Sequence, residues 1–558
     1  MRAADLLVKC LENEGVKYVF GVPGEEVLDL IDALSQSSIR FIVTHHEQGA
    51  AFMADAYGRL TGHAGVCIAT LGPGATNLTT GIADATLDFA PLVAITGQTN
   101  LDRIHKESHQ FVDVLTILKA VTIWNTRITR PDVIPEIVRK AFKLAEEEKP
   151  GAVHIELTQD VAAMPASGEP LKPYRARRSS PDRQALQTAA NIIAGAKSPL
   201  ILAGGSAVRR PEAAKELRRF ARRFHMPVTH TFMGKGAMAE DDPLAMLPLG
   251  MPGGGDLCAS GMCHADLVIA IGYDQVEYHP NRWNADLDKR IIHIGYTSSE
   301  VDRYYRPEVE VVGDIRETMA LLSDIVTYQA SGEEMENIKT LSRLARAERE
   351  YGSTDGHFPV RPQHLVKALR DALGPEDILV SDVGAHKVWL ARFYPAYEPN
   401  TVLISNGYAA MGFGLPAAIA AKLVYPERKV MAVSGDGGFA MVSAELETAA
   451  RLHLPIVNVI WVDGGYGLIK WKQEVEGRRV TGVDFGNPDF VRLAEAYGAA
   501  GYAISNPDDL PHVLAEALEL DRPSIVAVPV DYRENLKMSR RLTEMPCPVT
   551  RTTSHKSK

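Results

Sequence analysis

The sequence predicts an α/β protein built from three doubly wound parallel-sheet domains. Three observations carry this prediction. Short apolar runs alternate with amphipathic helical patterns; two polar segments interrupt the alternation; and a length of 558 residues is enough for three or four domains. Strands that alternate with helices form mostly parallel sheets covered on both faces. Ligands of such sheets bind beyond the carboxyl ends of the strands, so the residues that follow each strand are the candidates for chemistry.

The first unit is expected over residues 1–165. Five strand-like runs lie in it: YVFGVPG, IRFIVTHHE, AGVCIATLGPG, PLVAITGQT and AVHIELTQD. Amphipathic segments at 26–34 and 49–60 separate three of them. Residues 163–185 are rich in proline, serine and charge and have no periodicity, which predicts a linker.

Two further units follow the linker. The second is expected over 186–330, with strand-like runs PLILAGGSAV, DLVIAIGYD, RIIHIGY and VEVVGDI. Residues 330–360 have a charged helical pattern and predict a connector. The third unit is expected over 361–537, with runs DILVSDVG, TVLISNG, KVMAVSGDGG, PIVNVIWVDGG and SIVAVPVD. Residues 538–558 are expected to form a flexible tail.

Composition excludes several classes of protein. Hydrophobic residues make up 46% and charged residues 23%, which argues against disorder and fibrous structure. A net charge of −10 argues against a general nucleic-acid binder. The uncharged stretch 402–421 contains glycines and a proline and predicts a buried loop and helix rather than a membrane span. The amino-terminal segment lacks the pattern of a signal peptide. Five scattered cysteines predict reduced thiols, and we expect a cytoplasmic protein.

The strongest local signal is a pair of aspartates at the ends of two strands. Asp436 lies in SGDGG, and Asp463 lies 27 residues further on in IWVDGGYG. Two carboxylates at one sheet edge are suited to a hard divalent cation such as Mg²⁺, which prefers oxygen ligands and is often shared with phosphates. The neighbouring glycines allow backbone amides to approach a diphosphate closely. A GDG triplet alone is usually only a turn, so the specificity comes from the combination.

Two further signals lie in the first unit. Glu47, in THHEQGAAFMADAYGR, follows a strand and begins an alanine-rich helix. Taken alone, it fits an ordinary acidic residue stabilised by the helix dipole. LGPGATN at 71–77 is a glycine and proline turn before a helix and, alone, is most often structural.

Together these segments resemble the thiamin diphosphate-dependent acetohydroxyacid and acetolactate synthases. The resemblance runs from about residue 3 to residue 537 and includes GVPG, HHEQGAAFMADAYGR and LGPGATNLTTGIADA. It implies, in chain order, a pyrimidine-binding domain, a central Rossmann-like domain and a diphosphate-binding domain. The cofactors implied are thiamin diphosphate and Mg²⁺.

The resemblance also implies individual roles. Glu47 would hydrogen-bond to the pyrimidine N1′ and favour the imino tautomer that removes the C2 proton. Met411, 25 residues before Asp436, would wedge the cofactor into a bent shape, and the carbonyl of Ala409 would accept from the 4′-amino group. The metal ligands would be Asp436, Asp463 and Gly465. The full set of implied cofactor contacts is Pro23, Glu47, Pro73, Asn77, Ala385, His386, Ala409, Met411, Asp436, Gly437, Gly438, Asp463, Gly465, Tyr466, Gly467 and Leu468.

Several positions resemble the catabolic, flavin-free branch of the family rather than the biosynthetic branch. Asp274 stands where the biosynthetic branch has an arginine, and His109-Gln110 replaces its Phe-Gln pair. Lys472 stands where that branch has a tryptophan, and Trp471 is one position away. Asp463 departs from the usual asparagine, but its carboxylate still supplies an oxygen ligand. Gln110 would complete the catalytic set. For His109 two roles are equally open: direct contact with the substrate, or packing alone.

The implied reaction decarboxylates pyruvate and joins its two-carbon unit to a second pyruvate, giving 2-acetolactate and CO₂. FAD is expected to be absent, because ILAGGSAV lacks the GxGxxG spacing and an acidic residue for the ribose. The alternatives are an FAD-containing acetohydroxyacid synthase, another thiamin diphosphate-dependent decarboxylase, a flavin-dependent pyruvate oxidase, and a non-catalytic cofactor binder. The family implies a homodimer as the minimum unit and favours a homotetramer, with no nucleic-acid or membrane partner.

Overall fold

A computed structural model describes residues 1–173, 178–251, 256–354 and 356–545. In it the chain forms three parallel sheets, each flanked by helices. This arrangement confirms the predicted α/β class with three sheets.

The first sheet contains six parallel strands: β1 (Tyr18–Gly21), β2 (Arg40–Val43), β3 (Gly65–Ala69), β4 (Leu92–Gln98), β5 (Trp124–Ile128) and β6 (Ala152–Thr158). Their order across the sheet is β2-β1-β3-β4-β6-β5. The helices of this part are α1 (Ala3–Asn13), α2 (Leu28–Ser35), α3 (Glu47–Thr61), α4 (Pro73–Asn77), α5 (Thr79–Leu87), α6 (Val114–Lys119), α7 (Ile134–Glu146) and α8 (Gln159–Ala163). The ring of His46 caps α3 by accepting from the amide of Gln48, and α3 ends at Gly62, whose φ is +70°.

The second sheet contains five parallel strands: β7 (Pro199–Ala203), β8 (Val228–His230), β9 (Leu267–Ile271), β10 (Arg290–Gly295) and β11 (Val309–Val312). Their order is β11-β10-β9-β7-β8. The accompanying helices are α9 (Arg183–Ala194), α10 (Gly205–Val208), α11 (Pro211–Phe224), α12 (Ile315–Ile325) and α13 (Gly332–Glu350). The last of these lies in the segment where the sequence predicts a charged helical connector.

The third sheet contains six parallel strands: β12 (Ile378–Ser381), β13 (Val402–Ile404), β14 (Val430–Gly435), β15 (Ile456–Val462), β16 (Ala500–Ala503) and β17 (Ser524–Pro529). Their order, β13-β12-β14-β15-β17-β16, repeats the order of the first sheet. The helices are α14 (Pro362–Ala372), α15 (Ala385–Phe393), α16 (Gly414–Val424), α17 (Asp436–Val442), α18 (Glu445–Arg451), α19 (Gly467–Val475), α20 (Phe490–Ala496), α21 (Leu510–Glu519) and α22 (Glu534–Glu544).

Three strands have no counterpart among the apolar runs of the sequence, namely β5, β8 and β16. Each of them lies at an edge of its sheet. An edge strand pairs on one side only and can be short or weakly apolar; β8, for instance, is buried but has only three residues. In β5, for example, four of the five residues are only half-buried.

The first and third sheets share one hydrophobic core. Helix α3 packs against α16, where the rings of Phe52 and Phe413 meet edge to face with centroids 5.7 Å apart. A buried charge cluster seals this contact, because Arg59 pairs with Asp55, Asp84 and Asp88. The same carboxylates bind the third domain: the hydroxyl of Ser405 donates to Asp84 over 2.6 Å, and the amides of Asn406 and Gly407 donate to Asp88.

Two expectations need correction. The chain after residue 537 continues as helix α22 to Glu544, because Met538 and Leu542 are buried in the core of the third domain. Only the remainder of the expected tail, 546–558, lies outside the described residues. Cys10, Cys67 and Cys258 are free thiols, but Cys263 is disulfide-bonded, so the expectation of reduced thiols is wrong for that residue. The fifth cysteine, Cys547, is outside the described residues.

The uncharged stretch 402–421 is a strand, a loop and the first turns of α16, as predicted. Within the described ranges, no helix combines the length and the apolar character that crossing a membrane requires.

Candidate cofactor site

The two aspartates of the strongest sequence motif lie at one edge of the third sheet. Asp436 begins α17 directly after β14, and Asp463 follows β15, the neighbouring strand. Asp436 is 1% exposed. Its Oδ2 accepts the amides of Asp463 (3.1 Å) and Gly464 (2.7 Å) and the side-chain amide of Asn487 (2.7 Å). This network fixes one carboxylate and ties the second strand end to it.

The electrostatics of this edge favour a cation. Burial and the negative charge of Asp436 raise the pKa of Asp463 to about 7. A divalent ion between the two carboxylates would remove that repulsion, and the carbonyl of Gly465 could add a third oxygen. Within the described residues, no group of three or more His, Cys, Asp or Glu side chains could hold a metal ion. A cation here therefore needs backbone and phosphate oxygens as well.

Glycines keep this edge open. A Cβ at Gly438 would lie 2.5 Å from the carboxylate of Asp382, and a Cβ at Gly467 would lie 2.8 Å from that of Asp463. Any side chain at these positions would displace one of these two carboxylates. The result is a stretch of backbone without side chains between the two strand ends, of the kind that a diphosphate approaches.

His386 presents an unused polar atom at the same edge. It lies in the first turn of α15, immediately after β12, and is almost fully buried. Burial lowers the pKa of its ring to about 3, so the ring is neutral. Its Nε2 has no hydrogen-bond partner among the described residues. A buried polar atom without a partner fits a site that a bound group completes.

The loop before α16 is held in an uncommon conformation. Ala409 has φ +58° and Gly412 has φ +92°, on either side of the half-buried Met411. Asp382 holds the loop, because its Oδ1 accepts the amide of Gly412 over 2.8 Å. Burial raises the pKa of Asp382 to about 7. Sequence reasoning missed Asp382, although its place directly after β12 was a signal for it.

Glu47 lies in the first domain as the first residue of α3. It is 8% exposed, and its Oε2 accepts the side-chain amide of Asn77 over 2.9 Å. Gly74 leaves room beside it, since a Cβ there would lie 3.3 Å from Oε1. The carboxylate is therefore fixed at one end and borders the turn that carries Pro73.

The remaining predicted residues of the first domain lie on its surface. Pro23, Pro73, Asn77, His109 and Gln110 are exposed. The carbonyl of Gln110 lies against Gly72, where a Cβ could not fit, so its loop borders the turn next to Glu47.

Some predicted site residues are not brought together within one chain. In the described part of the chain, no hydrogen bond joins Glu47 or Asn77 to Asp436 or Asp463. Near the sheet edge that carries Asp436 and Asp463, Tyr466 is 39% exposed, and its ring contacts that of Phe485. The predicted residues thus fall into two groups, one in the first domain and one in the third.

Trp471 precedes Lys472, the position where the biosynthetic branch has a tryptophan. The side chain of Trp471 does not point to solvent. It is buried, and its indole N–H donates to the hydroxyl of Ser539 over 3.0 Å. Leu468 packs against the same core.

The polar groups at the edge of the central sheet are paired with one another. After β7, the amide of Gly205 donates to the carboxylate of Glu277, which also accepts the hydroxyl of Thr231. Burial, and then the charge of Asp274, raise the pKa of Glu277 to about 8. Nothing in the sequence identified Glu277 as the partner of this glycine turn.

A second carboxylate, from the first domain, pairs with the arginines at this edge. Glu148 accepts from Arg209 over 2.7 Å and also pairs with Arg210 and Arg178. Lys149 pairs with Asp274 over 2.9 Å. The cations that follow β7 are therefore already paired within the chain.

Three family models match the chain in consecutive segments. They are described as thiamine pyrophosphate enzyme, N-terminal TPP binding domain (residues 1–117), central domain (186–322) and C-terminal TPP binding domain (382–528).

Curated relatives are similar over nearly the whole length. The chain is 36% identical over 544 residues to the acetolactate synthase of Bacillus subtilis (strain 168), covering 96% of this chain and 95% of that protein. It is 38% identical over 543 residues to the catabolic acetolactate synthase of Raoultella terrigena, covering 95% of each. It is 36% identical over 577 residues to the probable acetolactate synthase large subunit of Methanocaldococcus jannaschii, covering 98% of this chain and 96% of that protein.

Proposed function

This chain belongs to the thiamin diphosphate-dependent acetolactate synthase family and is an enzyme of that type, and from this premise we propose how its residues perform the reaction. The substrate is pyruvate, used twice, and the products are 2-acetolactate and CO₂. The observation that carries the assignment is the similarity to acetolactate synthases over nearly the full chain. Thiamin diphosphate supplies a nucleophilic carbon that adds to the keto group and stabilises the electron pair left when CO₂ departs.

Glu47 is the proton-handling residue of the proposal. Its carboxyl group would hydrogen-bond to N1′ of the pyrimidine and exchange a proton with that atom. Burial and the hydrogen bond from Asn77 support this role, since both hold the carboxyl group in one place. Pro23 and Pro73 would line the pyrimidine next to it.

The diphosphate half-site belongs to the third domain. Asp436, Asp463 and the carbonyl of Gly465 would hold Mg²⁺, and the glycine backbone at Gly437 and Gly438 would border the diphosphate. The unpartnered Nε2 of His386 would face a phosphate oxygen, and the negative charge of the diphosphate would favour a proton on this nitrogen. Ala385, Tyr466, Gly467 and Leu468 complete this half-site.

Between the two ends of the cofactor, the loop before α16 sets its shape. The positive φ of Ala409 and the bond from Gly412 to Asp382 fix the loop. Met411 would support the bent cofactor, and the carbonyl of Ala409 would accept from its amino group. Gln110 and His109 would contact the second pyruvate from the exposed loop of the first domain.

The proposal includes no FAD. A dinucleotide bound to this type of sheet places its phosphates on amides that follow a strand. Here Glu277 already takes the amide of Gly205, and Glu148 already pairs with Arg209 and Arg210. A phosphate would have to displace the Glu277 carboxyl group from this amide and Glu148 from the arginines, which supports the flavin-free branch.

A homodimer is the minimum active unit of the proposal, and a homotetramer is its favoured form. The support is that no hydrogen bond of the described residues joins Glu47 or Asn77 to Asp436 or Asp463, and that Pro23, Pro73 and Asn77 are exposed. Met441, Tyr466 and Ile469 are large apolar side chains that are 39 to 51% exposed near the diphosphate edge. The first domain of a second copy would cover them and bring Glu47 to the cofactor.

Product analysis tests the proposed reaction. The purified enzyme is incubated with pyruvate, thiamin diphosphate and Mg²⁺, and the products are separated before acetolactate can decompose. We expect acetolactate and CO₂ from pyruvate alone. Acetaldehyde as the main product would instead assign the protein to the simple decarboxylases, and dependence on an electron acceptor would assign it to the oxidases.

A further inference from the structure

Helix α18 of the third domain contacts the backbone that leads into the helix of Glu47. The Oε1 of Glu445 accepts the amide of His45 over 3.0 Å and the amide of His46 over 3.1 Å. Glu47 follows His46 directly. A side chain about 400 positions away in the sequence therefore binds the two peptide groups that precede the catalytic carboxylate.

Glu445 is built into this contact. It is 1% exposed, and its second oxygen accepts the hydroxyl of Thr448 over 2.8 Å. Gly49, in the first turn of α3, leaves the space that the carboxylate occupies, since a Cβ there would lie 2.7 Å from Oε1. Burying a carboxylate costs free energy unless hydrogen bonds satisfy it, and these three bonds meet that need.

We propose that Glu445 is a positioning residue that holds Glu47 in register with the cofactor by binding the amides of His45 and His46. The proposal rests on the proposed role of Glu47. Two adjacent peptide groups fixed by one oxygen leave the next residue little freedom. A catalytic group must be held within about 0.5 Å of its productive geometry, and a displacement of about 1 Å can cost about 100-fold in rate.

The same helix provides matched controls. Glu447 pairs with the ring of His45 over 2.7 Å, and Arg451 donates to the carbonyl of Val43 over 2.6 Å. Both side chains are more than one-third exposed. Exposed pairs of this kind contribute little, so their loss should leave Glu47 in place.

The test compares four variants of the full-length enzyme with the wild type: Glu445→Ala, Glu445→Asp, Glu445→Gln and Glu447→Gln. Alanine removes the acceptor, and aspartate keeps the charge but is one methylene too short. Glutamine keeps an acceptor oxygen in the same place. The readout is the rate at which the C2 proton of bound thiamin diphosphate exchanges with deuterium, measured by NMR after an acid quench. The Kd for thiamin diphosphate in saturating Mg²⁺ is measured in parallel.

We expect Glu445→Ala and Glu445→Asp to slow C2 exchange by about tenfold or more, because Glu47 loses its alignment. The Kd should change less than about threefold, since the diphosphate half-site is untouched. Glu445→Gln should stay within about threefold of the wild type, and Glu447→Gln should match it. If Glu445→Ala does not fold, Glu445→Asp carries the comparison.

Three outcomes would overturn the proposal: wild-type exchange in Glu445→Asp, exchange in Glu445→Gln as slow as in the aspartate variant, or a Kd that weakens in parallel with exchange. Each would show that α18 does not act through the alignment of Glu47. Glu47→Gln is measured alongside, because it tests the role of Glu47 independently of the role of Glu445. Wild-type exchange in that variant would refute the proposed role of Glu47, whereas slow exchange there leaves only the role of Glu445 in question.

Discussion

The amide of Gly205 donates to both carboxylate oxygens of Glu277, at 2.9 and 3.0 Å. A phosphate at this turn would have to displace the carboxylate. We therefore predict that the purified enzyme has no flavin absorption in the visible range and is fully active on pyruvate without added FAD. Absorption spectra of the native and the denatured protein check this, since denaturation releases any bound flavin. A stoichiometric flavin in either spectrum would contradict it.

The same carboxyl group predicts a pH dependence of stability. The unfolded chain loses this proton near the ordinary pKa of 4.5, whereas the folded chain keeps it up to about pH 8. The folded state therefore binds more protons between those values and loses stability as the pH rises, by up to about 1.4 kcal/mol for each unit of pKa shift. Glu277→Gln cannot titrate. Its Tm relative to the wild type should rise from pH 5 to pH 8, and a constant difference would show that the group does not titrate in this range.

Glu47→Gln should bind cofactor and lose turnover. The amide keeps the shape of the side chain and its contact with Asn77, but it cannot exchange a proton with the pyrimidine. We expect kcat to fall by about 100-fold or more, with the Kd for thiamin diphosphate within about threefold of the wild type. Steady-state kinetics and a cofactor titration measure the two quantities. The exposed residue Glu136 supplies the control, Glu136→Gln, which should be unchanged; equal activity in the two variants would remove Glu47 from the mechanism.

Bound Mg²⁺ should offset the electrostatic repulsion between Asp436 and Asp463. Without metal, Asp463 lies half-buried beside Asp436, and its raised pKa means that ionisation costs stability as the pH rises toward 7. We predict that metal-free Asp463→Asn has a higher Tm than the metal-free wild type at pH 8, and that the difference shrinks at pH 5 and on adding Mg²⁺ with thiamin diphosphate. Chelation should abolish activity, and Mg²⁺ should restore it. A lower Tm for the variant under metal-free conditions would argue against the pairing.

Activity should depend on assembly. Because the proposed site combines residues of two copies, dilution that dissociates the oligomer should lower specific activity in proportion to the monomer formed. Sedimentation velocity and activity measured over the same concentration series check this. A fully active monomer would contradict the shared site.

The sequence predicted the elements that local patterns define, and it could not predict contacts between distant segments. The aspartates of the two strand ends were found because a parallel sheet brings its carboxyl ends together. The edge strand β5 was missed because its pattern is weakly apolar. Glu445 and Glu277 were missed for a different reason: their partners are backbone amides in other parts of the fold, and an amide leaves no mark on the sequence. Asp382 was within reach, since a polar residue directly after a buried strand is a recognisable signal.

The charge cluster around Arg59 has a consequence for the order in which the chain matures on the ribosome. Asp84 and Asp88 accept hydrogen bonds from Ser405, Asn406 and Gly407 of the third domain. The ring of Phe52 packs against that of Phe413. The first domain thus leaves the ribosome long before the residues that complete its core have been synthesised. We expect the first domain to remain a loosely packed intermediate during translation. It should reach its final packing only after the third domain has left the ribosome.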